Sequence, residues 1–209
     1  MTRPRFDNAA CETLAGCIKE IEQNTDAELI VVVRGRSASY SHADYLFGFA
    51  VSFIVLIVIL FAPFSFPEYF VPIDVALAFV VGVLISWRSN SIRRLFSREK
   101  YRNKSVRTAA AAMFYEAGIA NTNAEMGVLI YLSLMEKRLE LIADRGILKK
   151  VPAHDWNQQI FELHQVGKNP DPDRFQNSIM EFGKVLAAHV PATGENPNEL
   201  PDMPRFELK

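Results

Sequence analysis

The chain has 209 residues, of which 49% are hydrophobic and 22% charged, and its formal net charge is −1. That average by itself says nothing about nucleic acid, and no nucleic-acid partner is among the expectations. The length suits one domain of ordinary size plus an added element, and no secretory signal peptide is read, because the first long apolar run begins late.

Phe6 to Asn24 reads as an amphipathic helix. Ala10, Leu14, Cys17, Ile18 and Ile21 recur at helical spacing, and Glu12, Lys19, Glu20 and Glu22 take the other side. Cys11 and Cys17 fall on different faces of that helix, so no local disulfide is expected, which suits a reducing, cytoplasm-facing compartment. After Asn24-Thr25-Asp26, the run Ala27–Val33 (AELIVVV) is β-branched and short, the pattern of a buried strand. Gly35 to Asp44 is small and polar, a connection.

Tyr45 to Trp87 holds two long apolar segments, with spans of about 45–63 and 70–87, joined by a turn containing Pro63, Pro67 and Glu68. Leu46 to Ala62 carries no charge, and a spanning helix needs roughly 20 mostly apolar residues. The second segment reaches that length only with Phe70–Asp74 included, which places Asp74 at the membrane interface. The pair is expected to be a transmembrane hairpin. Arg34 and Arg36 precede it, and Arg88, Arg93, Arg94, Arg98, Lys100, Arg102, Lys104 and Arg107 follow it, whereas Ala62–Tyr69 has no basic residue. Positive charge marks the cytoplasmic side. The expectation is therefore a multi-pass inner-membrane protein with both termini in the cytoplasm. The basic stretch 88–104 would lie on the anionic inner leaflet as an orientation anchor.

Ser105–Gly118 reads as an Ala-rich helix, and Asn121-Thr122-Asn123 as a turn. Gly127–Leu134 (GVLIYLSL) has the continuous apolar character of a strand buried on both faces. Glu136-Lys137 turns the chain into Arg138–Ala143, an alternating strand, giving an antiparallel hairpin closed by Asp144-Arg145-Gly146. Helices follow at about His154–Val166 and Asp173–His189, separated by GKNPDPD. From Pro191 the chain is proline-rich without periodicity, and 191–209 is expected to be disordered. The soluble segments, 1–36 and 105–190, together make one α/β domain. Its first two strands are joined through a helix and are therefore expected to be parallel, with the membrane hairpin inserted in the crossover.

Several residues could carry chemistry. Asp144 and Asp155 flank the end of the second hairpin strand, and Asn123 and Glu125 sit at the start of the strand beside it. These four could converge on Ca2+ or another divalent metal, and hydrolysis by metal-held water needs several convergent carboxylates. The same residues also read as ordinary caps and turn residues: Asp155 as a helix cap, Asp144 beside Arg145, Glu125 in solvent. Asn169-Pro-Asp171-Pro-Asp173 departs from a calcium-loop pattern at Arg174 and Met180, leaving Asp173 as a helix cap. The histidines show no zinc spacing.

In this order of elements the sequence resembles the TPM domain family. The resemblance is carried by AELIVVV, by Ala109–Ile147 and by VPAHDW, with Phe114, Gly118, Ile119, Asn121, Asn123, Gly127, Arg138, Gly146 and Asp155 at the pattern positions. It implies a three-layer α/β/α sandwich with a small mixed sheet, here interrupted by the two-helix hairpin. It further implies an accessory or scaffolding role at a membrane, with LemA-like or other membrane proteins as partners. A metal-dependent acid phosphatase or calcium-binding domain is the alternative it implies. Asp144 departs from the glycine common in the family.

Overall fold

The computed structural model describes residues 6–63, 67–122, 124–194, 200–201 and 203–208. The chain forms two units, one made of 1–37 with 103–209 and the other of 38–102.

The first unit is built on a four-stranded mixed sheet. Helix α1 (Asn8–Glu22) leads into β1 (Glu28–Arg34); after the second unit and α5 (Glu99–Glu116) come β2 (Gly127–Ser133) and β3 (Arg138–Ala143). β1 and β2 are parallel with Glu28 opposite Gly127 and Arg34 opposite Ser133; β3 returns antiparallel, with Ser133 opposite Arg138. Every residue of β2 is buried, as is every residue of β1 except Arg34. That burial is the physical meaning of their unbroken apolar runs. Alternate residues serve two cores. Leu29, Val31, Val33, Val128, Ile130 and Leu132 pack with Leu14, Ile18 and Ile21 of α1 and with the helices that follow β3. Ile30, Val32, Leu129 and Tyr131 pack against Val106, Ala110, Met113 and Phe114 of α5. Helices therefore cover both sheet faces.

The structure departs from the sequence expectations at a turn, at two helix caps and in the tail. Asp144-Arg145-Gly146 opens a helix, α6 (Arg145–Lys150), with Asp144 as its N-cap. After α7 (Ala153–Lys168), helix α8 (Pro172–His189) is capped by Asp171 rather than Asp173, because Pro172 occupies the first helical position where its missing N–H costs nothing. Likewise Asp155 lies inside the first turn of α7, and the N-cap position belongs to Pro152. The departure in the tail is the largest. The expected disorder of 191–209 is overturned at both of its ends: Pro191 bridges to Thr25, and Arg205–Glu207 form β4, parallel to β1 with Val32 opposite Arg205. A three-residue edge strand is too short to show periodicity, and what fixes it is the open edge of β1.

The second unit contains α2 (Ser41–Phe61), α3 (Val71–Arg88) and the short α4 (Asn90–Leu95). α2 and α3 are long and apolar enough to cross a membrane. At 1.5 Å rise per residue they measure about 31 and 27 Å, close to the roughly 30 Å of a bilayer's hydrocarbon core. Against the expected spans, α2 begins four residues earlier and includes Asp44.

Candidate functional site

Burial in the second unit is inverted relative to a water-soluble fold. The residues that α2 and α3 bury are Ala43, Asp44, Gly48, Ser52, Gly82 and Ser86, all small or polar. The large apolar side chains point outward: Phe49 is 64% exposed, Leu60 68%, Phe61 83% and Leu84 55%. Close approach explains the two glycines. A Cβ on Gly82 would stand 2.9 Å from the Gly48 Cα and 3.1 Å from the Val51 Cβ. Such small-residue seams bring helix backbones together in lipid, where burying Leu against Leu gains nothing over lipid tails. Aromatic side chains are exposed at both ends of the pair: Tyr45 and Trp87 at one, Phe61, Tyr69 and Phe70 at the other.

One end of the pair is fastened by charge. Asp44 accepts from Arg93 twice, Nε to Oδ1 at 2.8 Å and Nη2 to Oδ2 at 2.7 Å, and Ser86 Oγ donates to Oδ1 at 2.7 Å. Both charged residues are 5% exposed. Arg93 is thus not a membrane-surface residue, as its place in the basic stretch suggests; it joins α4 to α2 and, through Ser86, α3. Arg102 is half-buried and donates to the carbonyl oxygens of Arg94 and Ser97, satisfying groups left open past the end of α4. Arg88, Arg98, Lys100 and Lys104 are exposed, and Arg94 is half-buried.

The expected metal ligands are only partly brought together. Gly146 N–H donates to the Glu125 carbonyl at 3.0 Å and Asp144 N–H to the Gly127 carbonyl at 2.9 Å, so Glu125 and Asp144 stand on adjoining backbone. Glu125 is exposed, with a φ of 54°. Asp144 Oδ1 accepts its cap bond from Arg145 N–H at 2.7 Å, while Oδ2 is shielded and has no hydrogen-bond partner among the described residues. Asn123 lies outside the described residues. Asp155 is engaged elsewhere, 2.9 Å from His189 Nε2 of α8. That pair lines a groove of about 490 Å³ between α7 and α8, with Gln158, Glu162, Glu181 and Lys184. Among the described residues no group of three or more His, Cys, Asp or Glu is placed to hold a metal ion.

A polar network that sequence reasoning missed sits at the carboxyl ends of β1 and β2. Glu136 accepts from Ser37 N–H at 2.8 Å and from Ser133 Oγ; Ser37 Oγ bonds Ser133 Oγ at 2.9 Å and Tyr131 OH at 3.0 Å. Ser133, Glu136 and Tyr131 are buried. With Leu134 N–H on the Arg34 carbonyl at 2.9 Å and Met135 N–H on that of Gly35 at 3.0 Å, the network fixes the backbone where β1 ends. Its signal in sequence was only a serine and an acid flanking an apolar strand end. Beside it, a cleft of about 820 Å³ opens between Phe6, Asp7, Asn8, Arg34, Phe206 and Glu207. Burial pushes the Cys17 thiol up, with Glu20 reinforcing it against a Gln176 hydrogen bond, so this cysteine packs rather than reacts.

No protein-family model matches the chain, and no curated protein matches it in sequence. Among solved structures it is similar to the NMR structure of the BA42 protein from the psychrophilic bacterium Bizionia argentinensis. The likeness has a TM-score of 0.57 at 15% identity and covers 99% of this chain and 98% of that one. At that identity the likeness is one of fold alone.

Proposed function

We propose that this protein is a two-span membrane protein that holds a TPM-like α/β domain at the cytoplasmic face of a bacterial inner membrane. There it serves as an accessory or scaffolding module for other membrane proteins, for which LemA-like proteins are candidates. The observation that carries the reading is the inverted burial of α2 and α3: apolar side chains outward, Gly and Ser inward, and Asp44 paired inward with Arg93 of α4. In water that arrangement leaves the large side chains solvated, whereas hydrocarbon accepts them and the small and polar groups are turned inward. Orientation follows from the basic flanks and from the lack of any basic residue in the Ala62–Tyr69 turn. Exposed Arg88, Arg98, Lys100 and Lys104 are the residues available to anionic headgroups.

Topology is tested with single cysteines in a C11S/C17S background. E68C should react with a membrane-impermeant maleimide in spheroplasts, and N157C only after permeabilisation. Labelling of N157C in intact spheroplasts would overturn the orientation, and recovery of the chain in the soluble fraction would overturn the tether. Crosslinking in native membranes then identifies the partner.

A second reading, a divalent-cation site at Glu125 and Asp144, draws on the shielded Asp144 Oδ2 that lacks a partner. Two carboxylates fall short of the six to eight oxygens that Ca2+ takes, so main-chain carbonyls and water would have to supply the rest. Amide shifts at Asp144–Gly146 on titrating Ca2+, absent in D144N, are the expected signature; no shift at millimolar Ca2+ removes this reading.

A further inference from the structure

β4 is the least committed strand of the sheet. It pairs with three of the seven residues of β1, Val32–Arg34, and its own side chains are only half-buried. The strand it pairs with is the opposite: Val31, Val32 and Val33 are fully buried in the cores on the two sheet faces. An apolar strand edge of that kind has to be covered or it recruits another strand.

The cover is specific. Phe206 meets the Phe6 ring edge-to-face at 6.0 Å, and Glu207 lies 2.9 Å from Arg34 Nε. The Glu207 carbonyl accepts from Gly35 N–H at 2.8 Å. Gly35 must lack a side chain, since a Cβ there would stand 2.8 Å from the Leu208 carbonyl oxygen. Main-chain pairing combined with separate seats for successive side chains is how sheet edges bind extended peptides.

We infer that the β1 edge is a strand-acceptor site that takes segment 204–208 from a second copy of this chain as well as from its own. The occupant follows from the fit: the site is shaped for this segment, so a second copy reproduces each contact without any new complementarity. A three-residue pairing opens by local fluctuation without unfolding the domain. Thr193 is anchored to Asp26 by bonds of 2.9 and 2.8 Å, and a Cβ placed on the following Gly194, at φ +76°, would meet no described atom within 4 Å. Two copies tethered in one membrane also meet at a raised effective concentration; that clause rests on the tether reading, and the recognition does not.

The test uses complementary charge swaps in the full chain. One tagged copy carries R34E and a differently tagged copy carries E207K. Within each copy the edge and the strand then bear like charges, whereas exchange between the two copies matches opposite charges at both edges. Capture of one tag should bring down the other at least ten-fold above same-variant pairs. The R34E/E207K double variant, matched within one copy, should return to the wild-type level and reports that the fold tolerates the swap. A mixed pair no richer than the same-variant pairs overturns the inference. If either single variant misfolds, cysteine pairing decides: in C11S/C17S, R34C and E207C on separate copies should form an intermolecular disulfide. A disulfide only within an R34C/E207C chain, and none between copies, overturns it equally. Capture is scored in whichever fraction holds the chain, so a soluble chain would defeat the tether reading while leaving this test intact.

Discussion

The ion pair between Asp44 and Arg93 makes the sharpest demand on the second unit. Asp44→Ala removes the acceptor of the two Arg93 bonds and of the Ser86 bond, and strands a guanidinium that is 5% exposed. Breaking one side of a buried pair costs about 3–5 kcal/mol, most of it from the stranded charge rather than from the lost attraction. D44A/R93L removes both charges and therefore the stranded one. What it still lacks is the Ser86 hydrogen bond, about 0.5–1.5 kcal/mol. The double variant is thus expected to be more stable than the single by about 1.5–4.5 kcal/mol. The assay is SDS titration in mixed micelles, followed by the fluorescence of Trp87 in a W156F background. A D44A variant within about 1 kcal/mol of its parent would refute the argument, since it would mean Arg93 finds water or lipid phosphate when released. So would a double variant no more stable than D44A.

Two further outcomes follow from packing and protonation. Gly82→Val places atoms within 3.1 Å of Gly48 and Val51, so it should lower the SDS midpoint by the equivalent of about 1–3 kcal/mol. Gly16→Ala, with nothing within 4 Å, should leave that midpoint unchanged. The His164 pKa is lowered from 6.5, chiefly by burial; Arg138 and Lys168 reinforce the effect, and Glu140 and the Leu139 backbone oppose it. The unfolded chain then binds the extra proton first, so this contribution is intact above pH 6.5 and is lost as pH falls through the lower folded value. Urea unfolding at pH 7.5 and 5.0 should show wild type losing more stability than H164Q on acidification, and equal losses would clear His164 of the effect.

What could be read from the sequence divides along a physical line. Elements whose identity is written in local periodicity were legible: α1, the three strands β1 to β3, the two apolar helices, and α7 and α8. α6 was not, because Arg145-Gly146 reads as a turn and a single six-residue helix has too little length to show a face. Features decided by distant partners were not legible either. Arg93 looks like its basic neighbours until Asp44, far back in the chain, turns it inward, and Asp155 looks like a cap until His189 claims it. The same holds for the candidate metal residues, of which folding joins Glu125 to Asp144 and gives Asp155 another partner.

The arrangement of polar groups in the second unit argues further than composition could. A hairpin kept only as a greasy anchor needs no internal glycine, serine or ion pair, since lipid tails accept Leu and Phe on every side. Here the inward seam is Asp44, Gly48 and Ser52 facing Gly82 and Ser86, and the one carboxylate in it is tied to Arg93 on a third helix. A seam of that kind stabilises one relative placement of α2, α3 and α4 over others, because sliding the helices would strand a charge and clash a Cβ-free contact. The ion pair at one end therefore fixes how α2, α3 and α4 sit together, and D44A should loosen that placement before it unwinds either helix.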